Sequence, residues 1–454
     1  MGTPFVERIG LSFPLGAGLL TLQMFLLGIL RVPLTLFNTT LPVSVELVVL
    51  AIWIWRKNIM LINHSEPGFF TEFTSPQNHW ARKCLLALLA LWIGAKLVSV
   101  FLLTGLRPIY SWDAWTDWSA AAKVFYNARG LLLDAPLQDF FGKNAVDRII
   151  FYPLNNMLLQ VWISLWIGSF DEVFVKFHNP VYLLSMAICF YYTTAREINR
   201  ICALALLAIV LSSPLLSYHA VEVNSDLMLG VYLFLASASF LRAMRGQTAY
   251  WVLAGIYSSE ALLTKEEAFF FILPFLLSAI MYFQFARTSN SRKFTRIASL
   301  FTPFLIVVPW YIFKLYYGLG WGAMADWIVG WTASGFENDH NMFSMHMTFY
   351  PEILGGYLFS MVSLNNFNVI TFFLLLLLIA HGKLTKEFLH LLFPVAGYII
   401  FFLMIYMFTA YREWFLMGGV GCRNVLTYYP TLCLLTVLLL KRPDSLRTSF
   451  QAES

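Results

Sequence analysis

The sequence predicts an all-α polytopic membrane protein, and three observations carry that prediction. Hydrophobic residues make up 59% of the 454 positions and charged residues 12%. A soluble domain is about 45–50% apolar and about 25% charged, so a soluble fold of this size would lack the charges to cover its surface. The apolar residues also gather into runs, and no soluble domain of useful size interrupts them. A soluble enzyme, a disordered chain and a nucleic-acid binder are thereby excluded. The five cysteines show no CxxC spacing, so neither a disulfide nor a zinc framework is implied.

Twelve helices are expected, near 9–30, 41–55, 84–104, 174–194, 201–218, 226–241, 249–264, 267–286, 298–318, 364–380, 388–410 and 425–440. The first, Ile9 to Leu30, is too long for the apolar core of a signal peptide and reads as a retained span. Basic residues mark the connections from Arg56-Lys57 to Lys83, Arg196 to Arg200, Arg242 to Arg245, Arg287 to Arg296, and the tail from Lys441. The positive-inside rule places these in the cytoplasm, with both termini. Segments 105–173, 219–225, 319–363 and 411–424 then fall on the outer face, which for a bacterial chain is the outer side of the inner membrane. This gives three regions: 1–83 with two N-terminal helices, 84–300 as the central module, and 301–454 as the C-terminal helices.

Segment 151–170 is apolar enough to span, yet a span there would invert every later basic loop. Pro153, Asn155, Asn156 and Gln160 suit a re-entrant or interfacial path, partly wet and irregular, better than lipid. Ahead of it, Trp112, Trp115 and Trp118 recur every three residues. On a helix lying in the interface they form an aromatic stripe. Asp113 and Asp117, four apart, share the other face.

That run, Ser111 to Trp118, is the first place to look for chemistry. Partial desolvation at the bilayer rim raises a carboxylate's pKa and makes it a better general base. The bland alternative is a solvated amphipathic helix. The second place is Leu262-Leu263-Thr264-Lys265-Glu266-Glu267, three charges between apolar runs. Charges at membrane depth are costly and face a cavity or partner. Lys265 can hold a phosphate as a point charge, and one of the glutamates, Glu266 or Glu267, can hold a hydroxyl or orient the lysine; a plain hairpin turn is the competing account. Asp226 opens an apolar helix, where capping and substrate contact are equally open. His219 and Glu222 are weaker candidates nearby. Arg148 and Tyr152 precede Pro153 at the entry of the odd segment. Arg423 opens the last helix on the supposed outer side, where it can fork onto a phosphate or pair with Glu413. Glu337, Asp339, His340 and His346 match no recognised metal-ligand spacing.

Taken in order, the tryptophan-rich acidic loop, Tyr152-Pro153-Leu154, Asn224-Ser225-Asp226 and Leu263-Thr264-Lys265-Glu266-Glu267 resemble the GT-C superfamily of integral-membrane glycosyltransferases. The branch they look like is that of the dolichyl-phosphate-mannose–protein mannosyltransferases and the lipid A aminoarabinose transferase. The resemblance covers roughly residues 84–300. It implies a GT-C-like bundle and inverting transfer of a sugar from a polyprenyl-phosphate carrier to a glycan, lipid or protein acceptor. It casts Asp113 as the base, with Asp117 beside it, and Lys265 by the carrier phosphate, with Arg148, Tyr152, Glu266, Asp226 and Arg423 as further binding candidates. A divalent cation, Mg²⁺ or Mn²⁺, is compatible with this chemistry and not required by it. A transporter or lipid-linked sugar flippase is the alternative, though no internal repeat supports it.

Overall fold

The computed structural model describes residues 3–57, 80–133, 152–285, 290–317, 349–367, 370–380, 384–408, 412–416 and 420–441. Among these the secondary structure is helical. The first half comprises α1 (Phe5–Ile29), α2 (Leu36–Arg56), α3 (Trp80–Leu106), a π-helical turn (Ala114–Trp118), α4 (Ser119–Ala128), α5 (Asn155–Ile167), α6 (His178–Glu197), α7 (Arg200–Leu211) and α8 (Pro214–Val221). The second comprises α9 (Ser225–Met244), α10 (Ala249–Leu262), α11 (Phe269–Phe285), α12 (Asn290–Phe301), α13 (Val308–Tyr316), α14 (Glu352–Val362), α15 (Leu364–Phe367), α16 (Ile370–Ala380), α17 (Lys386–Phe408), α18 (Arg412–Leu416) and α19 (Val420–Leu440).

This is an integral membrane protein. Eight described helical runs are long and apolar enough to cross a bilayer, or nine if the bent pair α7–α8 counts as one. The twelve runs expected from the sequence are not matched one for one. Helix α10 has 14 residues, about 21 Å at 1.5 Å per residue, short of a ~30 Å hydrocarbon core. Run 364–380 is divided between α15 and α16. Ser212, Ser213 and Pro214 break run 201–218, and the two pieces meet at 68°. Pro214 sits at the start of α8, where its missing N–H costs nothing, and the Ser213 hydroxyl accepts from the Leu216 N–H.

The centre is built from α9 and α19. Every residue of α9 from Ser225 to Ala243 is buried. So is every residue of α19 from Asn424 to Leu439. A helix that is apolar all round is one enclosed by others, and these two show that rule. They touch closely at Gly230, where an added Cβ would lie 3.2 Å from the Leu426 and Thr427 carbonyl oxygens. Small residues permit such backbone approach between membrane helices. Gly255 on α10 is tighter still, since a Cβ there would lie 2.2 Å from the Leu300 carbonyl. Gly255→Ala is therefore expected to destabilise the fold by about 1–3 kcal/mol through forced helix displacement. A thermal unfolding midpoint equal to that of the parent protein would refute this.

Helix α9 also fixes the two ends of the molecule. Asp226 lies in its first turn and Arg242 in its last, roughly 24 Å apart at the helical rise. At the Arg242 end, the Glu7 carboxylate of α1 is held by Arg242 (2.8 Å) and by Arg196. Glu197 pairs with Arg245 and lies 3.8 Å from Lys441. Arg196, Arg242, Arg245 and Lys441, from three of the basic segments read from the sequence, thus gather at one end, and Asp226 marks the other.

Two expectations for the Asp226 end are corrected. The tryptophans do not form one stripe: Trp112 and Trp115 are 71% and 57% exposed, whereas Trp118 is 2% exposed. The cause is the π-helical turn, whose wider winding rotates Trp118 and Asp117 inward. Asp117 is 8% exposed, whereas the Asp113 side chain is 29% exposed and pairs with Arg423, so the two carboxylates have different surroundings. The second correction concerns 151–170. It is helical over Asn155–Ile167, about 20 Å, and ends at Gly168 in the left-handed conformation at φ +84°. That is too short for a straight span. Its amides are not wetted but are bonded to protein. Asn156 Nδ2 donates to the Val223 carbonyl (2.5 Å) and the Ser225 hydroxyl (2.8 Å). Asn155 Nδ2 donates to Glu260 (3.1 Å), and the Ser119 hydroxyl donates to Gln160 (2.7 Å).

Candidate active site

Four elements deliver charged side chains to one place at the Asp226 end. The π-helical turn brings Asp113 at its N-terminal edge. The first turn of α9 brings Asp226, the hinge before α11 brings Lys265 and Glu267, and the first turn of α19 brings Arg423. Asp226 is at the centre and is buried. Its Oδ1 accepts from Lys265 Nζ at 3.0 Å. Its Oδ2 accepts from Arg423 Nη2 at 3.0 Å and Nε at 3.2 Å. Arg423 Nη1 is left for Asp113 and donates to its Oδ2. Lys265 continues the chain to Glu267, 3.0 Å away. The result is an alternating series, Asp113–Arg423–Asp226–Lys265–Glu267, drawn from residues 310 positions apart.

The two readings of Asp226 are thereby separated. The carboxylate is committed to two cations, although its place in the first turn also suits the helix dipole. Burial alone would lower Lys265, but Asp226 and Glu267 overcome it and hold the ammonium above the usual lysine range. His219 is buried, with Nδ1 3.7 Å from Asp226 Oδ2. An aromatic wall adjoins Lys265, whose Nζ lies 5.9 Å above the Tyr152 ring, and that ring lies 5.1 Å from Trp118.

The outer members of the series differ from the middle one in access. The side chains of Asp113, Arg423 and Glu267 are 29%, 23% and 22% exposed, against 2% for Asp226. Three carboxylates face two cations, so the series carries one formal negative charge before His219 is counted. Asp113 and Glu267, the two solvent-facing carboxylates, already contact Arg423 Nη1 and Lys265, so an anion binding those groups competes with them. Among the described residues, no group of three or more His, Cys, Asp or Glu is arranged to hold a metal ion.

Of the residues singled out in the sequence, Asp113, Asp226, Lys265, Tyr152 and Arg423 are brought together. Asp117 is buried, with its Oδ1 accepting from the Thr116 hydroxyl at 3.3 Å. Glu266 turns instead to Lys314 Nζ on α13. Arg148 and residues Glu337, Asp339, His340 and His346 lie outside the described residues, as does the side chain of Glu413. Sequence reasoning passed over Lys176 and Glu260. Each is a charge inside an apolar run, and that isolation was itself a signal of a buried partner. Glu260 takes the amide of Asn155 and occupies space that a Cβ on Gly18 would fill.

An all-helical membrane bundle with an ion-pair network at one end is the class these features define. Residues 157–313 match the family model of dolichyl-phosphate-mannose–protein mannosyltransferases. That stretch includes Asp226 and Lys265 and leaves Asp113 and Arg423 outside. Among solved structures, the chain is similar to ArnT from Cupriavidus metallidurans bound to undecaprenyl phosphate. The TM-score is 0.52 at 15% identity, covering 79% of this chain and 60% of that one. The apo form of the same protein gives 0.51 at 14% identity, with 80% and 62% covered. The chain spans about three-fifths of the length of those structures. The likeness is one of fold, and it bears out the GT-C-like bundle drawn from the motifs. No curated protein matches the sequence.

Proposed function

We propose that the protein transfers a sugar from a polyprenyl-phosphate carrier to an acceptor at the membrane surface. The observation that carries this reading is the series Asp113–Arg423–Asp226–Lys265–Glu267, which puts two cations and an accessible carboxylate within one site. Sugar transfer from such a carrier needs both. A phosphate leaves as the bond to the anomeric carbon breaks, and positive charge stabilises it. A base takes the proton of the attacking acceptor hydroxyl. Arg423 Nη1 and Lys265 serve the first need and Asp113 the second. Attack opposite the phosphate inverts the anomeric carbon. The family match over 157–313 and the fold shared with a structure that binds undecaprenyl phosphate support the choice of carrier. The site's distance from the basic end, with the positive-inside rule, supports reading it as lying on the outer face of a bacterial inner membrane.

The exposed carboxylates support an order of binding. The carrier phosphate displaces Asp113 from Arg423 Nη1, while Asp226 keeps the guanidinium in place through Nε and Nη2. Asp113 is then free to meet the acceptor. Nucleotide binding is not needed, since the carrier supplies the activated sugar.

The test is incubation of the full chain in lipid nanodiscs with a panel of polyprenyl-phosphate sugars, reading release of polyprenyl phosphate and a glycosylated product. Consumption of none, together with uptake of a labelled lipid-linked sugar across proteoliposomes, would replace this reading with transport. Lys265→Ala is expected to weaken binding of undecaprenyl phosphate about 10–100-fold, the worth of a charge-assisted contact of about 1.5–3 kcal/mol. Unchanged affinity in a direct binding assay would remove Lys265 from the phosphate site.

A further inference from the structure

A second buried pair lies beneath the site, and the reaction above makes no use of it. Lys176, in the turn before α6, and Glu222, just after α8, have fully buried side chains with Nζ and Oε1 4.0 Å apart. Lys176 Nζ donates to the Pro108 carbonyl at 3.3 Å. Glu222 Oε2 accepts from the backbone N–H groups of Tyr110 (3.5 Å) and Ser111 (3.4 Å). The Ser111 hydroxyl donates to Asn224 Oδ1 at 3.2 Å. From below, Asn179 Nδ2 donates to the Glu222 carbonyl and, at 3.3 Å, to that of Asn224. Every one of these bonds ties segment 108–111 or segment 222–224 to the same small bracket. Segment 108–111 ends two residues before Asp113, and segment 222–224 ends two residues before Asp226.

We infer that Lys176 and Glu222 are positioning residues, which set the carboxylate of Asp113 against Arg423 and Asp226 by bracketing the two backbone segments that carry the acids. Burial of two opposite charges is costly and adds little stability over an apolar pair of the same shape. An apolar pair, however, could not accept from two N–H groups or donate to a carbonyl, so it could not fix segment 108–111. Burial pushes the Glu222 carboxyl up and the Lys176 ammonium down, and their mutual attraction acts against both shifts. The inference rests on Asp113 as the acting base, but the placement of Asp113 can be measured without any transfer.

The experiment modifies carboxylates in the full chain, in nanodiscs, with a water-soluble carbodiimide and an amine. Labelling at Asp113 is read by mass spectrometry, with the exposed Glu352 as reference. In the parent protein Arg423 shields Asp113. Glu222→Ala is expected to speed labelling of Asp113 at least fivefold and leave Glu352 unchanged. Glu222→Gln, whose amide oxygen still accepts from both N–H groups, is expected to restore most of the shielding. An unchanged rate at Asp113 in Glu222→Ala overturns the inference, even if the variant melts earlier. Should Glu222→Ala fail to accumulate, Ser111→Ala removes one hydroxyl contact and is expected to give about a twofold rise; no rise overturns the inference. In transfer assays Glu222→Ala is expected to lower kcat about tenfold with KM for the carrier within twofold, and Glu222→Gln to restore most of kcat. If the parent protein transfers no sugar while Asp113 labelling responds as stated, the proposed function fails and the bracket stands.

Discussion

Asp113→Asn is expected to reduce sugar transfer by at least about 10²–10⁴-fold, the usual contribution of a positioned general base. The fold should survive. Asp113 is partly exposed, and Arg423 keeps its two bonds to the buried Asp226 when the Asp113 charge is removed. The kinetic form of the loss is more telling than its size. In the resting state Asp113 competes with any anion for Arg423 Nη1. Neutralising it weakens that competition, so the carrier should bind as well as before or better. A fall in kcat without a rise in KM for the carrier marks an interaction made in the transition state and not in ground-state binding. Transfer at near-parent rates would end the assignment of Asp113 as the base. Loss of carrier affinity with kcat unchanged would recast it as a binding residue.

The sequence made the fold class plain because hydropathy dictates it directly. Segments such as α9 and α19 had to be helical to satisfy their backbone in an apolar medium. The acids and bases of the site were also legible one at a time, as charges placed against long apolar runs. Their pairing was not. Arg423 and Asp113 are 310 positions apart, and only the tertiary fold brings them together. The choice between Glu266 and Glu267 as partner of Lys265 depended on a single 3₁₀ turn over Glu266–Ala268, which sends the two side chains in different directions. Periodicity misled at Trp112, Trp115 and Trp118 for a similar reason. A spacing of three or four assumes an α-helix, and one π-helical turn is enough to bury the third tryptophan. Asn155, Asn156 and Gln160 were correctly read as unsuited to lipid, but their partners are protein groups and not water. Polar residues in a membrane segment report that a partner exists and leave its identity to the packing.

Asp226→Asn carries the largest expected cost in stability. Its carboxylate is 2% exposed and faces Arg423 and Lys265, both within 3.2 Å. Removing one member of a buried ionic group leaves the others uncompensated, which costs about 3–5 kcal/mol. Arg423 would retain Asp113 and Lys265 would retain Glu267, but both of those acids are solvent-facing and hold their cations less firmly. Two like charges would then lie side by side where Asp226 had separated them. The consequence is a sharp drop in thermal midpoint and in yield of folded protein. A double variant distinguishes ionic loss from simple misfit. Adding Lys265→Met removes one stranded cation with little change in volume, so Asp226→Asn/Lys265→Met should be clearly more stable than the two single losses predict, by about 0.5–3 kcal/mol of coupling. Strict additivity would show that Asp226 and Lys265 do not act as a pair. A drop of less than about 0.5 kcal/mol for Asp226→Asn alone would mean that the centre of the series is not its structural keystone.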